Sequence, residues 1–260
     1  MQRHIRQLLG KPVVEESNNL PKLEKIRRHL LLGKSWRYLR YVHLRDALLR
    51  ISDDIKTVGV VGAGGGFAEF ALAIEFPHIH FTLTDIIDDT YPRFQNVMKL
   101  SWDWDINNID FRVWDVLTPT SRRFDLVCST EVLEHILEDD LAASRMRDAA
   151  LKYVYCLVPF GSKTENDDPD VREYALKTHG HHVFGYDAQR LEALFPNPEF
   201  LAGAYFDDAG QKLRAQLGAL DTEEITAQIK ALTALGEKDL QDRIPDTPFE
   251  GQGIKILSRV

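Results

Sequence analysis

The chain has 260 residues, 44% of them hydrophobic and 28% charged, with a formal net charge of −8. These values exclude a disordered chain and a membrane protein, and the length allows one large α/β domain or two small ones around a full core. The mean charge conceals a split: residues 1–50 hold 12 Lys/Arg against 4 Asp/Glu, a net +8, whereas residues 51–260 carry a net −16. A basic front on an acidic body argues against a surface that binds a polyanion all over, and leaves the front to meet a phosphate, a nucleotide or an anionic membrane.

Residues 21–33 and 35–51 read as helices. Ser35 caps the second, and Leu39, Val42, Leu48 and Ile51 form an apolar stripe amid Arg37, Arg40, Arg45 and Arg50. The expectation is an N-terminal extension over residues 1–52, a packing helix pair with a solvated basic face. From residue 53 the texture changes. A β-branched strand, Lys56–Gly62, leads into a helix at 66–76, and a strand at His78–Asp85 into a helix at 92–102. Strands at Ile109–Trp114 and Phe124–Thr130 follow, then a helix at Glu138–Ala150 and a strand at Tyr153–Val158 stopped by Pro159. Strands alternating with helices imply a parallel sheet covered on both faces. Gly161–Asp170 is a polar loop. Phe200–Phe206 and Gly253–Val260 read as two closing strands. Between them, residues 207–252 read as mostly helical, with 10 acids against 5 bases.

No segment approaches the ~20 apolar residues of a membrane span. Met1–Arg6 lacks the apolar run of a signal peptide. Cys128 and Cys156 sit in apolar strands without the paired spacing of a zinc site, and read as small buried hydrophobes in a reducing compartment. A cytoplasmic protein is expected.

The run Val60–Gly66 (VVGAGGG) follows a strand and opens a helix. Glycines there let the backbone turn tightly and approach a ligand without an intervening Cβ. Asp85 lies 21 residues after Gly64, at the end of the second strand, where a carboxylate can accept from both hydroxyls of a ribose. Asp115 ends the third strand, where it can receive an adenine amino group, and Glu131 ends the fourth. Loop solvation explains any one of these acids. Three after three successive strands, beside a glycine loop, point to a nucleotide cofactor at the carboxyl edge of the sheet. The dinucleotide frame G-x-G-x-x-G/A fails, because its third position is Phe67. The frame G-x-G-x-G is met by Gly62, Gly64 and Gly66.

On these residues, and on the run FDLVCSTEVLEHI at 124–136, the chain resembles the class I S-adenosyl-L-methionine-dependent methyltransferases over about residues 55–206 and the closing strand. The resemblance implies an α/β, Rossmann-like fold: a seven-stranded sheet with an antiparallel last strand, here with an N-terminal helical extension and a helical insertion before the last strand. It implies that Gly62, Ala63, Gly64 and Gly66 pack on S-adenosylmethionine. Asp85 with Ile86 would hold the ribose, Asp115 with Val116 would border the adenine, and Glu131 would stand near the methionine end. The family usually has an acid two residues before the first glycine; here that residue is Val60, with Glu69 or Glu131 to compensate. This departure keeps a non-catalytic binding module open. A dinucleotide oxidoreductase is a more distant alternative.

Glu131, Glu134 and His135 form E-x-x-E-H after the fourth strand, and three histidines fall at 179–182. Two carboxylates with imidazoles can bind Mg²⁺ or Mn²⁺. Equally, Glu and His here can cap a helix or line a pocket. The pattern is similar to that of small-RNA 2′-O-methyltransferases, whose later histidine corresponds to His182, with Phe184 and Tyr186 following. That subset implies a metal at Glu131, Glu134, His135 and His182; a ubiquinone-pathway O-methyltransferase subset has a similar E-x-x-E-H run. Without a metal, His135 or His182 is the best general base for an alcohol. The insertion at 207–252 would cover the acceptor as a lid, and its acidity would repel a long polyanion. A small-molecule or glycan acceptor with a diol is therefore favoured over RNA. The basic front is the expected dock for any anionic part of the acceptor.

Overall fold

Continuous apolar runs make the central strands, as a sheet buried on both faces requires. In the computed structural model the chain is described for residues 19–33, 35–86, 92–161, 167–183, 185–204 and 253–260. Its elements are α1 (Leu20–Gly33), α2 (Ser35–Ile51), β1 (Thr57–Val61), α3 (Phe67–Glu75), β2 (His80–Asp85), α4 (Pro92–Asp103), β3 (Ile109–Val113) and β4 (Phe124–Thr130). A 3₁₀ turn at Leu133–His135 precedes α5 (Asp139–Ala149) and β5 (Ala150–Pro159). Then come α6 (Pro169–His179), α7 (Ala188–Leu194), β6 (Pro198–Ala204) and β7 (Gly253–Arg259).

The seven strands lie in the order β3-β2-β1-β4-β5-β7-β6. β1 to β5 pair in parallel, and β7 is antiparallel to both β5 and β6. The expected sheet with its reversed last strand is what forms. The order turns at β1, from which the chain runs outward to β3 and then returns to β4. The carboxyl ends of β1 and β4 therefore flank a crevice, the usual ligand site of such sheets.

Two core layers cover the sheet. On one face Val58, Val60, Phe81, Leu83, Leu126 and Cys128 pack with residues of α1 to α4. On the other Val61, Val127, Val154, Cys156 and Ile256 pack with Ala142 and Met146 of α5 and Leu191 and Leu194 of α7. The two cysteines are free, buried and on opposite faces, and burial pushes both thiols up.

The N-terminal helices follow from α3. Every residue from Ala68 to Glu75 is buried. A helix apolar all round needs cover on both sides. The sheet supplies one side, and Leu23, Ile26, Tyr41 and Leu48 of α1 and α2 supply the other. Val42, Leu48 and Ile51 of the predicted stripe are buried; the side chains of Ser35 and Leu39 lie outside the described ones.

The basic face is solvated only in part: Arg50 is exposed, and its neighbours are drawn inward. Arg45 is buried and pairs with buried Glu75 at 2.6 Å, while the Tyr41 hydroxyl donates to the other oxygen of Glu75 at 2.5 Å. Arg27 donates to the Tyr38 hydroxyl at 3.1 Å, and Arg40 is half-buried. Farther along α2, Asp46 accepts from the buried Lys255 of β7 at 3.0 Å. The physical reason is α3 itself: a carboxylate buried on it must be paired or it costs several kcal/mol.

Two helices, α6 and α7, occupy a stretch without predicted elements. β5 begins at Ala150, directly off α5 rather than at Tyr153. The predicted helical insertion at 207–252 lies outside the described residues, as do Phe184, Tyr205 and Phe206. Among the described residues, no helix is long and apolar enough to cross a membrane.

Replacing Glu75 by Ala leaves Arg45 buried without its anion. The expected loss of unfolding free energy is ~3–5 kcal/mol, read from urea midpoints. A loss below ~1 kcal/mol would contradict this role for the pair.

Candidate functional site

The glycine loop leaves β1 in left-handed backbone, with φ of 65° at Gly62, 55° at Gly64 and 67° at Gly66. The three differ in what surrounds them. A Cβ on Gly62 would lie 2.5 Å and 2.8 Å from the two methyls of Val132, and one on Gly66 would lie 2.6 Å from Leu83 Cδ1. A Cβ on Gly64 would have no heavy atom within 4 Å. Gly62 and Gly66 serve packing, whereas Gly64 borders open space at the crevice. The Ala63 amide donates to the Thr84 carbonyl at 3.0 Å, and the Gly64 amide to Asp85 Oδ2 at 2.9 Å. The acid at the end of β2 is thereby locked onto the loop after β1.

The Trp114 amide donates to the Asp85 carbonyl at 3.0 Å, joining the exits of β2 and β3. Asp115 Oδ1 accepts from the Leu117 amide at 2.9 Å in an Asx turn. Val116 is buried and Ile86 is exposed. Asp85, Ile86, Asp115 and Val116 thus line one edge with the loop. Val60 does not reach this edge; it is buried in the α3-side core.

At the end of β4 the backbone is strained. Glu131 has φ 57°, a region that costs a non-glycine residue about 1–2 kcal/mol. Two contacts hold it: its amide donates to the Leu157 carbonyl at 2.8 Å, and Arg40 Nη2 donates to its carbonyl at 3.5 Å. Arg40 comes from α2, and no local sequence signal marked it. Its charge faces Glu131, Glu134 and Glu69, with Arg37 also near.

Glu134 is fully buried, and neither of its carboxylate oxygens has a hydrogen-bond partner. Glu131 Oε1 is likewise buried without one. Burial, then the neighbouring Glu131 charge, pushes the Glu134 carboxyl well above the ordinary range; burial also raises Glu131, against Arg40. Among the described residues, the cluster whose donor atoms lie within 4.8 Å of one another is Glu134, His135 and His181.

The histidine loop is set by the end of α6. Asp168 caps that helix, accepting from the Asp170 and Val171 amides, and Gly180 ends it at φ 72°. The amides of His182 and Val183 donate to the Glu134 carbonyl at 2.7 Å and 3.2 Å. His181 is thereby turned toward His135, with ring centroids 4.8 Å apart. Burial, then the like charges of His135 and His179, lowers His181 to about 4. His135 Nδ1 lies 3.1 Å from the Gly180 carbonyl. A carbonyl only accepts, so Nδ1 carries a proton, and Nε2 lies 3.9 Å from Glu134 Oε1.

Of the predicted metal ligands, Glu134 and His135 therefore come together, and Glu131 and His182 are not in that cluster. His182 is exposed, and the left-handed Gly180 cap brings in His181 instead. Tyr186 is buried, with its hydroxyl on Asp139 at 3.2 Å, and so stands in the core rather than over an acceptor.

No family model and no curated protein matches the chain. Solved structures do. A structure assigned to a sarcosine dimethylglycine methyltransferase from Galdieria sulphuraria has a TM-score of 0.58 at 12% identity, covering 86% of this chain and 86% of that one. Coclaurine N-methyltransferase bound to N-methylheliamine and S-adenosylhomocysteine has a TM-score of 0.55 at 13% identity, covering 84% of this chain and 70% of that one. The fold is the class I methyltransferase fold. At these identities the likeness is one of architecture, and the chemistry rests on the residues at the edge.

Gly62→Ala is expected to lower stability by at least ~2 kcal/mol, because both methyls of a β-branched neighbour block the new Cβ. Gly64→Ala meets only the left-handed backbone cost of ~1 kcal/mol. Thermal midpoints compare the two; equal losses would contradict the open space at Gly64.

Proposed function

We propose that the chain is an S-adenosylmethionine-dependent O-methyltransferase acting on a hydroxyl of a sugar-like or other diol-bearing small molecule. The carrying observation is the Asp85 carboxylate fixed on the Gly64 amide beside open space at the β1/β4 crevice. A carboxylate so fixed suits ribose hydroxyls, and the bare glycine backbone lets a nucleoside approach. Asp115, Ile86 and Val116 would border the adenine. The methyl group would then lie over the end of β4, where Glu134, His135 and His181 come together beside Glu131.

The reaction is an in-line displacement. The acceptor oxygen forms a bond to the methyl carbon as the carbon–sulfur bond breaks, and the hydroxyl proton leaves to a base. Holding the two reactants in line supplies much of the rate. Without a metal, His135 is suited to take the proton at Nε2, because the Gly180 carbonyl fixes its Nδ1–H. His182, exposed beside the cluster, is the alternative base.

The donor set also fits a divalent ion such as Mg²⁺ or Mn²⁺. A fully buried carboxylate without a hydrogen bond beside two imidazoles is a poor arrangement for an empty protein and a good one for a cation. Glu134, His135 and His181 would hold it, with Glu131 adjacent. When bound, such an ion supplies positive charge that lowers the pKa of a coordinated hydroxyl. Three protein ligands leave coordination positions for neighbouring hydroxyls, which supports a diol acceptor.

A non-catalytic binding module is the second reading, favoured by Val60 in the place of an acid. An RNA acceptor loses support from the described basic residues, since Arg27, Arg40 and Arg45 are engaged inside the fold.

Incubation with methyl-labelled S-adenosylmethionine and candidate sugars, lipids, nucleotides and RNA, with divalent ions added or chelated, tests the proposal. Label is expected in a diol-bearing small molecule. Cofactor binding without transfer would favour the binding module. Glu134→Gln and His181→Ala are each expected to reduce ion-dependent turnover about 100-fold, with His181→Ala sparing cofactor binding. Full turnover in chelator would overturn the metal assignment.

A further inference from the structure

Arg40 stands at a position that the sequence marks only as one arginine of a basic helix. Its neighbours on α2 moor it: Tyr41 and Arg45 are buried on Glu75, and Asp46 is bonded to Lys255. Such anchoring holds a side chain in one place with little entropy left to lose on binding. The guanidinium reaches the carbonyl of Glu131 at the end of β4, beside Val132, whose methyls pack against Gly62 of the glycine loop.

This inference rests on the cofactor reading above. If adenine and ribose lie at Asp115 and Asp85, the remaining part of the cofactor runs over the loop toward β4. That part ends in an α-carboxylate and an α-ammonium. The crevice offers acidic partners for the ammonium and the sulfonium: Glu131 and Glu134 carry carboxylate oxygens buried without a hydrogen bond, and buried Glu69 also faces Arg40. For the carboxylate the same acids are repulsive. Without a cation beside it, a carboxylate buried among them would be strongly unfavourable. Among the described residues, Arg40 carries a guanidinium that faces all three acids.

We infer that Arg40 binds the α-carboxylate of S-adenosylmethionine, with Glu131 taking the α-ammonium, so that α2 forms one wall of the cofactor site. A planar guanidinium matches a carboxylate with two parallel hydrogen bonds, which a lysine cannot reproduce. The clasp also accounts for Val60. With both charges of the amino-acid end met from α2 and β4, no acid is needed at the end of β1, and an apolar residue there fills the core.

Calorimetric titration of wild-type protein and Arg40→Met with S-adenosylmethionine and with decarboxylated S-adenosylmethionine isolates the pairing, because the second ligand lacks only the carboxylate. Wild-type protein is expected to bind the first about 10- to 100-fold more tightly than the second. In Arg40→Met this preference is expected to fall to about twofold or less, with binding of the decarboxylated ligand little changed. Arg40→Lys keeps the charge but loses the fork; it is expected to retain an intermediate preference, and it decides the matter if Arg40→Met fails to fold. An undiminished preference in these variants overturns the assignment, as does equal loss of both ligands. Equal binding of both ligands by wild-type protein overturns it while leaving the cofactor reading intact. Binding of neither ligand by folded wild-type protein overturns both.

Discussion

The arrangement of the molecule depends on the burial of α3. A helix of Phe, Ala, Leu and Ile that carries only two acids cannot face water on either side. The sheet covers it from within, and α1 and α2 must cover it from without. The Arg45–Glu75 pair fixes how they do so, since a buried carboxylate on α3 tolerates only a partner that reaches it. Just over a turn before Arg45, the same helix carries Arg40 across to the end of β4. A requirement of packing thereby brings a guanidinium to the crevice.

At that crevice the structure holds charge that packing does not require. Glu134 is fully buried with neither oxygen bonded, Glu131 stands at positive φ, and two histidine rings converge nearby. Unpartnered buried carboxylates and left-handed non-glycine backbone each cost about 1–3 kcal/mol. Their coincidence at the carboxyl edge, beside an open glycine loop, is where a cationic ligand would recover that cost. The sulfonium of the cofactor and a divalent ion both have that character. Away from the crevice, the charges of Glu75, Asp139 and Lys255 are buried with partners.

Sequence and structure agree where periodicity and punctuation suffice. The strands from β1 to β5 and the reversed β7 follow from apolar runs, and the loop at Gly62–Gly66 from its spacing. α6 had local signals that could have revealed it: Asp168-Pro169 is a cap followed by proline, and Gly180 is a C-terminal stop. The choice between His181 and His182 was not legible, because it turns on one left-handed residue at the end of that helix. Nor was Arg40, whose role depends on a contact 91 residues away in sequence. A basic helix face looks solvated until the acids that it covers are placed beneath it.

A crystal structure with S-adenosylhomocysteine tests the central claim most directly. The account places the ribose hydroxyls on Asp85, the thioether sulfur over the crevice between β1 and β4, and the adenine beside Asp115 and Val116. Density elsewhere on the protein, or no density at saturating ligand, would contradict it.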